Sequence, residues 1–226
     1  MQILPNLHLI PGIVANPFLL VDPDGLTLID AGLPGSQGKI LQYLKSQGFA
    51  PSALKRILIT HSDGDHVGGL AALQHATQAT VFASAVEAEA IRAGRMTRPL
   101  KVTGLRRVLF SAAQVFFRPA PARVDELLVD GQELPVLGGL RVVETPGHTP
   151  AHLSFFAPGA GVLFCGDSLR CPEGRIEVSA GANTWDEAKA LQSARLLASL
   201  GVFIVCPGHG QVVRDASSQF QALLSA

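Results

Sequence analysis

The stretch from Thr60 to His66 constrains this chain more than any other. It reads Thr-His-Ser-Asp-Gly-Asp-His, and four of its seven side chains can bind a metal. The apolar run 57–59 before it predicts a buried strand, and the run that starts at Val67 predicts a helix. Carboxylates and imidazoles crowded onto a strand-to-helix loop are costly to bury unless a cation compensates them. The stretch therefore predicts a metal site at the end of a strand.

Three later stretches are suited to complete that site. His148 and His209 each follow a Pro-Gly turn after an apolar run, and Asp167 ends the strand-like run Phe-Cys-Gly-Asp. A single histidine is more often a packing or surface residue than a ligand, but the density of ligand types in 60–66 favours the metal interpretation. The alternative is an exposed acidic turn in which Asp65 caps the next helix. That alternative leaves the two Pro-Gly-His turns unexplained.

The order of the predicted elements indicates the fold class. Strands and helices alternate twice along the chain, with polar ligand types at strand ends, which predicts a four-layer αβ/βα sandwich of two mixed sheets with helices outside. A hairpin is expected around the Asp-Pro-Asp-Gly turn at 22–25. Helices are expected to begin at Ser36, to run from Val67 to His75, and to begin at Asn183 or Thr184.

Composition narrows the class of protein further. With 226 residues, 47% hydrophobic and 16% charged, and no linker-like run, the chain is expected to form a single domain over 1–226. Lys+Arg and Asp+Glu both number 18, which argues against a general nucleic-acid binder. The N-terminus lacks the pattern of an export signal, no run reaches membrane-spanning length, and the three cysteines are an odd number. A cytoplasmic location away from membranes is expected.

The segment 92–123 is basic and has two interpretations. It holds eight basic residues and no acid, namely Arg92, Arg95, Arg98, Lys101, Arg106, Arg107, Arg118 and Arg123. One interpretation is a solvated surface. The other is an insertion or lid over the metal site, in which Arg106 and Arg107 bind an anionic substrate.

The stretch 61–66, followed in order by His148, Asp167 and His209, resembles the metallo-β-lactamase superfamily from about Asp30 onwards. The resemblance implies an αβ/βα sandwich with metal ions at one edge. It implies two sets of ligands and one bridging residue: His61, Asp63 and His148 for the first ion, Asp65, His66 and His209 for the second, and Asp167 between them. It also implies that Asp30 supports the metal loop, and His152 is expected to hydrogen-bond within the site.

One position departs from the common motif of that superfamily. The usual order is His-x-His-x-Asp-His, and Asp63 stands at the second His, although some members read His-x-Asp-x-Asp-His. A carboxylate is a harder ligand than an imidazole and shifts the first site towards Mn²⁺ or Fe²⁺ relative to Zn²⁺. One or two divalent ions are expected, Zn²⁺ foremost, with Fe²⁺ or Mn²⁺ as alternatives.

The resemblance implies a hydrolase in which a metal-activated water attacks a carbonyl. Asp65 is expected both to bind metal and to act as the catalytic residue that orients the water or passes a proton. Small thioesters, lactones and related esters are the expected substrates, because the stretch around His148 is similar to glyoxalase II-type and lactonase-type members. The helical domain with which glyoxalase II binds glutathione is not expected, because the chain ends shortly after His209. A phosphodiesterase or nuclease, an iron-dependent oxidoreductase similar to persulfide dioxygenases, and a non-catalytic binding module remain alternatives, and the oligomeric state is open.

Overall fold

The first sheet has seven strands whose spatial order follows the sequence. In the computed structural model, which describes residues 1–98 and 118–225, β1 to β4 pair antiparallel and β4 to β7 pair parallel. Its strands are β1 Gln2–Leu4, β2 Leu7–Leu9, β3 Phe18–Asp22, β4 Gly25–Ile29, β5 Leu54–Leu58, β6 Thr80–Ser84 and β7 Glu126–Leu128. The predicted hairpin at 22–25 is confirmed, since Asp22 pairs with Gly25 across the β3–β4 turn.

The second sheet has six strands in the order β15-β14-β11-β10-β9-β8, and only β11 and β14 pair parallel. Its strands are β8 Glu133–Leu134, β9 Leu140–Glu144, β10 Leu153–Ala157, β11 Val162–Gly166, β14 Ile204–Pro207 and β15 Val213–Arg214. A separate two-stranded ribbon joins β12 Leu169–Arg170 to β13 Glu177–Val178.

Helices cover the outer face of each sheet. They are α1 Gln37–Ser46, α2 Gly64–Val67, α3 Leu70–Thr77, α4 Ala85–Arg92, α5 Glu187–Ala198 and α6 Ser217–Ser225. One buried apolar cluster joins α1, α3 and α4 to the first sheet, a second lies between the sheets, and a third joins α5 and α6 to the second sheet. The predicted four-layer sandwich is confirmed.

The helix predicted from Val67 to His75 is two helices. The chain forms the single turn α2, breaks at Gly68 and Gly69, and resumes as α3. Both glycines lie against backbone: a Cβ on Gly69 would lie 2.5 Å from the carbonyl oxygen of Ala31, and one on Gly68 would overlap the ring of Pro34. The break therefore follows from close packing of the metal loop on the segment after β4, which an apolar periodicity does not reveal.

Two predicted helix starts are also refined. Helix α5 begins after Asp186, whose Oδ1 accepts the backbone N–H of Lys189 at 3.0 Å, and not at Asn183 or Thr184, which precede it. Carboxylates are strong N-caps, and Asp186 takes that role. Helix α1 begins after Ser36 as predicted, but the serine hydroxyl forms no capping hydrogen bond.

The strands place the predicted ligands at one edge. In the first sheet β4 and β5 are parallel, and in the second β9, β11 and β14 run in one direction. The carboxyl ends of these five strands lead into the loops that carry Asp30, His61, His148, Asp167 and His209. Across the described ranges, no helix combines the length and the apolarity needed to span a membrane.

Candidate metal centre

The seven predicted metal ligands form one cluster. They fall into three overlapping groups, and within each group the ligand atoms lie within 4.8 Å of one another. The groups are His61 with His66 and Asp167, His61 with Asp63 and His148, and Asp65 with His66 and His209. Because His61 and His66 are shared, the groups are parts of a single site.

Asp167 lies at the centre of the cluster. Its Oδ1 lies 3.3 Å from Nε2 of His66, and its Oδ2 lies 3.6 Å from Nε2 of His148 and 3.5 Å from Nε2 of His209. The site is open on the side of Asp65 and His209, whose side chains are 31% and 30% exposed and whose Oδ2 and Nε2 lie 3.1 Å apart. A small molecule in solvent can therefore approach the site from that side.

Asp30 sets the orientation of two of the imidazoles. Its Oδ2 accepts the Nδ1 proton of His66 at 2.8 Å and the hydroxyl proton of Thr60 at 2.8 Å. With that proton donated, the hydroxyl of Thr60 accepts a hydrogen bond from Nδ1 of His61 at 2.9 Å. Both rings are thereby fixed with Nε2 directed into the cluster, where a metal ligand needs its lone pair.

His152 supports Asp167 through the backbone of that residue. Its Nε2 accepts the backbone N–H of Asp167 at 3.0 Å, and its Nδ1 donates to the hydroxyl of Thr145 at 2.8 Å. Burial, with smaller contributions from neighbouring imidazoles, lowers the pKa of His152 to about 3. The ring is therefore a neutral support for the loop that carries Asp167.

The pKa values of the imidazoles diverge because their neighbours differ. Burial, followed by the charges of His66 and His148, holds the pKa of His61 well below its usual value. Burial alone would lower the pKa of His66 as well, but the Asp167 and Asp30 carboxylates outweigh it and raise that pKa well above the usual value. The pKa of His209 is also raised, because contacts with Asp65 and Asp167 outweigh burial.

The three carboxyl groups of the cluster are held as anions. Burial would raise the pKa of Asp167, but the imidazoles around it, His66 first, outweigh burial and hold that pKa far below its usual range. The same balance lowers the pKa of Asp63, through His148 and a guanidinium, and that of Asp65, through His209.

The donor set fits a divalent cation. Four polar atoms of the cluster are buried and have no hydrogen-bond partner within the described ranges: Nε2 of His61, Oδ1 of Asp63, Nε2 of His66 and Oδ1 of Asp167. Leaving such atoms unpaired away from water is costly, and a bound cation compensates imidazole lone pairs and carboxylate charge together.

Gly208 allows the last loop to close on the cluster. A Cβ at this position would overlap Oδ1 of Asp167 and lie 2.7 Å from Cε1 of His66. The Pro-Gly pair before His209 is therefore a steric requirement of the site as well as a turn.

Two residues that the sequence analysis did not assign also contact the metal loop. Arg98 forms an ion pair with Asp63, and buried Glu87 accepts the backbone N–H of Ser62. Arg98 carried a weak signal as part of the basic segment, whereas one glutamate in a short amphipathic helix carries none. Arg106 and Arg107, predicted to bind substrate, and most of the predicted lid lie outside the described residues.

Comparison with known sequences identifies a family and relatives of the chain. A profile of the metallo-beta-lactamase superfamily matches residues 10–209. The chain is 31% identical to the uncharacterized protein YobT of Bacillus subtilis, over 91% of this chain and 87% of that protein. It is 30% identical to a hydroxyacylglutathione hydrolase of Albidiferax ferrireducens, over 94% of this chain but only 64% of the hydrolase.

Comparison with solved structures agrees with the fold. A metallo-beta-lactamase family protein from Thermus thermophilus superposes with a TM-score of 0.77 at 27% identity, over 99% of this chain and 80% of that chain.

Proposed function

The chain belongs to the metallo-beta-lactamase superfamily of hydrolases, and from this membership we propose that it uses one or two divalent metal ions to hydrolyse a small thioester, lactone or related ester. The observation that carries the proposal is the cluster of seven ligand-type side chains at one sheet edge, four of whose buried polar atoms lack a hydrogen-bond partner in the described residues. The similarity to a hydroxyacylglutathione hydrolase supports an acyl substrate.

The proposed ligands divide between two ions. Asp65, His66 and His209 would hold one ion, and His61, Asp63 and His148 would hold another. Asp167 contacts imidazoles of both sets and would be a ligand shared between them. A bound ion would lower the pKa of a water ligand and polarise the substrate carbonyl. Zn²⁺ suits the four imidazoles, and the three carboxylates make Fe²⁺ or Mn²⁺ the alternatives.

Asp65 is the proposed catalytic residue. It lies on the open side of the cluster, and its carboxyl group stays ionised because its contact with His209 outweighs burial and lowers its pKa. An ionised carboxylate in that place can orient an attacking water and pass its proton to the leaving group. Asp30 and His152 are proposed as supporting residues, one for the imidazoles and one for Asp167.

The protein is proposed to act in the cytoplasm. Its three cysteines are free and buried. Unpaired thiols are usual in a reducing compartment.

The experiment is metal analysis followed by a substrate panel. The full chain, purified without added metal, is assayed for bound ions and then tested on a thioester, a lactone, a carboxylic ester and a phosphodiester, with oxygen uptake recorded on a persulfide. We expect bound divalent metal and hydrolysis of at least one acyl substrate. Cleavage of the phosphodiester alone, or oxygen uptake alone, would replace this proposal with a nuclease-type or dioxygenase-type activity.

The matched variants are Asp65→Asn and Asp24→Asn. Asp24 is an exposed carboxylate at the β3–β4 turn, where it pairs with Arg56. Loss of a general acid–base group lowers kcat by about 100-fold or more, so we expect that loss for Asp65→Asn and an unchanged rate for Asp24→Asn. An Asp65→Asn enzyme with full metal content and full rate would remove Asp65 from the proposed role.

A further inference from the structure

Arg98 contacts the metal cluster at one particular atom. Its Nε and Nη2 lie 2.8 Å and 2.7 Å from Oδ2 of Asp63, and the two side chains are only 9% and 5% exposed. The same Oδ2 lies 3.2 Å from Nε2 of His148 and 3.7 Å from Nε2 of His61. The guanidinium therefore pairs with the carboxylate oxygen that faces the imidazoles of His61 and His148. Below, His61, Asp63 and His148 are called the first group, and Asp65, His66 and His209 the second group.

Hydrogen bonds of the neighbouring residue Thr97 hold Arg98 in that place. The hydroxyl of its neighbour Thr97 donates to Glu87 at 3.0 and 3.1 Å, and the backbone N–H of Thr97 donates to the hydroxyl of Ser62 at 3.1 Å. Glu87, which is fully buried, also accepts the backbone N–H of Ser62 at 3.0 Å and the hydroxyl of Thr149 at 2.6 Å. One carboxylate thus ties the Arg98 backbone to the loops that carry Asp63 and His148.

The two ligand groups consequently differ in charge. In the first group, a permanently charged guanidinium already neutralises Asp63 and would lie close to any ion held with His61 and His148. Two cations that share one carboxylate in a water-poor site repel each other strongly. In the second group, no lysine or arginine within 1–98 or 118–225 forms an ion pair with Asp65 or Asp167.

We propose that Arg98 determines how many ions this chain holds: its guanidinium takes the counter-charge role at Asp63, so that one ion binds tightly at Asp65, His66 and His209 while the first group binds an ion weakly. The inference rests on the proposed metal dependence and adds the occupancy. It also explains why an aspartate at position 63 is compatible with a stable site, because an imidazole there would offer Arg98 no anionic partner.

The test measures zinc occupancy of the full chain. Chelator-treated wild type, Arg98→Met and Arg118→Met are titrated with Zn²⁺ alone by equilibrium dialysis and metal analysis. Arg118→Met is the matched control, because Arg118 belongs to the same basic segment but donates to the carbonyl of Gly94 and not to an acid. Wild type and Arg118→Met are expected to bind one ion tightly, and Arg98→Met to bind two.

The affinity for the second zinc ion is expected to be at least about 30-fold lower in wild type than in Arg98→Met. A change of this size matches the disruption of a buried hydrogen-bonded charge pair. A melting experiment separates this role from a merely structural one. Metal-free Arg98→Met, whose Asp63 lacks its counter-charge, should melt below wild type and gain more from zinc. Thr97→Val, which keeps Arg98 but removes its hydroxyl anchor, should narrow the difference between the two zinc affinities.

Two results would overturn the inference while leaving the proposed function intact: two ions of similar affinity in wild type, or a second ion bound no more tightly by Arg98→Met. If Arg98→Met does not fold, Arg98→Gln replaces it, since its amide can still donate to Asp63 but carries no charge, and it should bind two ions. A chain that binds no zinc in any variant would contradict the proposed function itself.

Discussion

At the scale of single residues, Asp30 has the most demanding position. Its φ of 59° lies in the left-handed region, which aspartate tolerates better than most residues. Both of its carboxylate oxygens are occupied, Oδ1 by the backbone N–H of Thr60 at 2.9 Å and Oδ2 by the protons from Thr60 and His66. An unusual backbone conformation is thus maintained at a residue that orients two candidate ligands without contacting the metal position.

Replacement of Asp30 by asparagine tests that role. The amide keeps the size and the tolerance of positive φ, but it has one acceptor oxygen where the carboxylate uses two. Loss of such a supporting contact lowers metal affinity by about 10- to 100-fold, and we expect that loss for Asp30→Asn. Zinc affinity from competition with a chromophoric chelator is the measurement. Asp22→Asn, at the opposite end of the β3–β4 hairpin where Asp22 accepts the N–H of Leu137, should leave the affinity unchanged.

At the scale of elements, the basic segment is anchored at both described ends. On the N-terminal side Arg92 donates to the carbonyl of Val124 at 2.7 Å, and on the C-terminal side Arg118 donates to the carbonyl of Gly94 at 2.9 Å. Thr97 and Arg98 join the N-terminal side to the metal loop. The segment therefore leaves the sandwich beside the candidate site, where Arg98 contacts the metal loop, and it returns at the start of β7. The contact of Arg98 with the metal loop supports a role for the charges of the segment in substrate choice.

The double variant Arg106→Gln/Arg107→Gln tests that proposed role. If these arginines bind an anionic part of the substrate, KM for an anionic acyl substrate should rise about 10-fold or more, as expected when a binding contact is lost without a change in the chemical step. The KM for a neutral substrate of the same class and kcat for both should change little. Arg95→Gln, which replaces an exposed arginine of the same segment, serves as the control. Equal increases in both KM values would show that the two arginines have no part in anion recognition.

At the scale of the whole molecule, metal binding, protonation and stability are linked. The folded chain gathers three carboxylates and four imidazoles at one edge, and in the absence of metal the carboxylates raise the pKa of His66 and His209. The stability that these two imidazoles add to the metal-free protein is fully present below the unfolded histidine pKa of about 6.5 and is lost as the pH rises through their folded values. A metal requires the neutral imidazole and so competes with those protons.

Zinc binding is therefore expected to release protons near pH 7 and to strengthen as the pH rises from about 6 to 8. The difference in melting temperature between zinc-bound and metal-free protein should widen over the same range, because tighter binding adds more stability to the folded state. Calorimetric titration in buffers with different ionisation enthalpies counts the protons. His209→Asn should reduce the count, and His75→Asn, on the exposed side of α3, should not. Binding that is independent of pH would contradict the raised histidine pKa values.

The sequence by itself determined the fold class and the candidate ligands. Periods of apolar residues mark the strands that form the two sheets and the helices that cover them. Ligand-type side chains placed directly after strands can be recognised without knowledge of the fold. Sequence could not locate the break at Gly68 or the start of α5 at Asp186, because close backbone packing and competing cap residues decide them.

Only the tertiary structure decided which charges meet at the site. Arg98 lies 35 positions from Asp63, and Glu87 lies 62 from Thr149. Neither spacing follows a helical or strand period, so no local pattern predicts either contact. Ion pairs and hydrogen bonds between distant residues depend on distances of about 3 Å, which are set by how loops from different strands pack together. That packing places a guanidinium beside Asp63 at the candidate metal site.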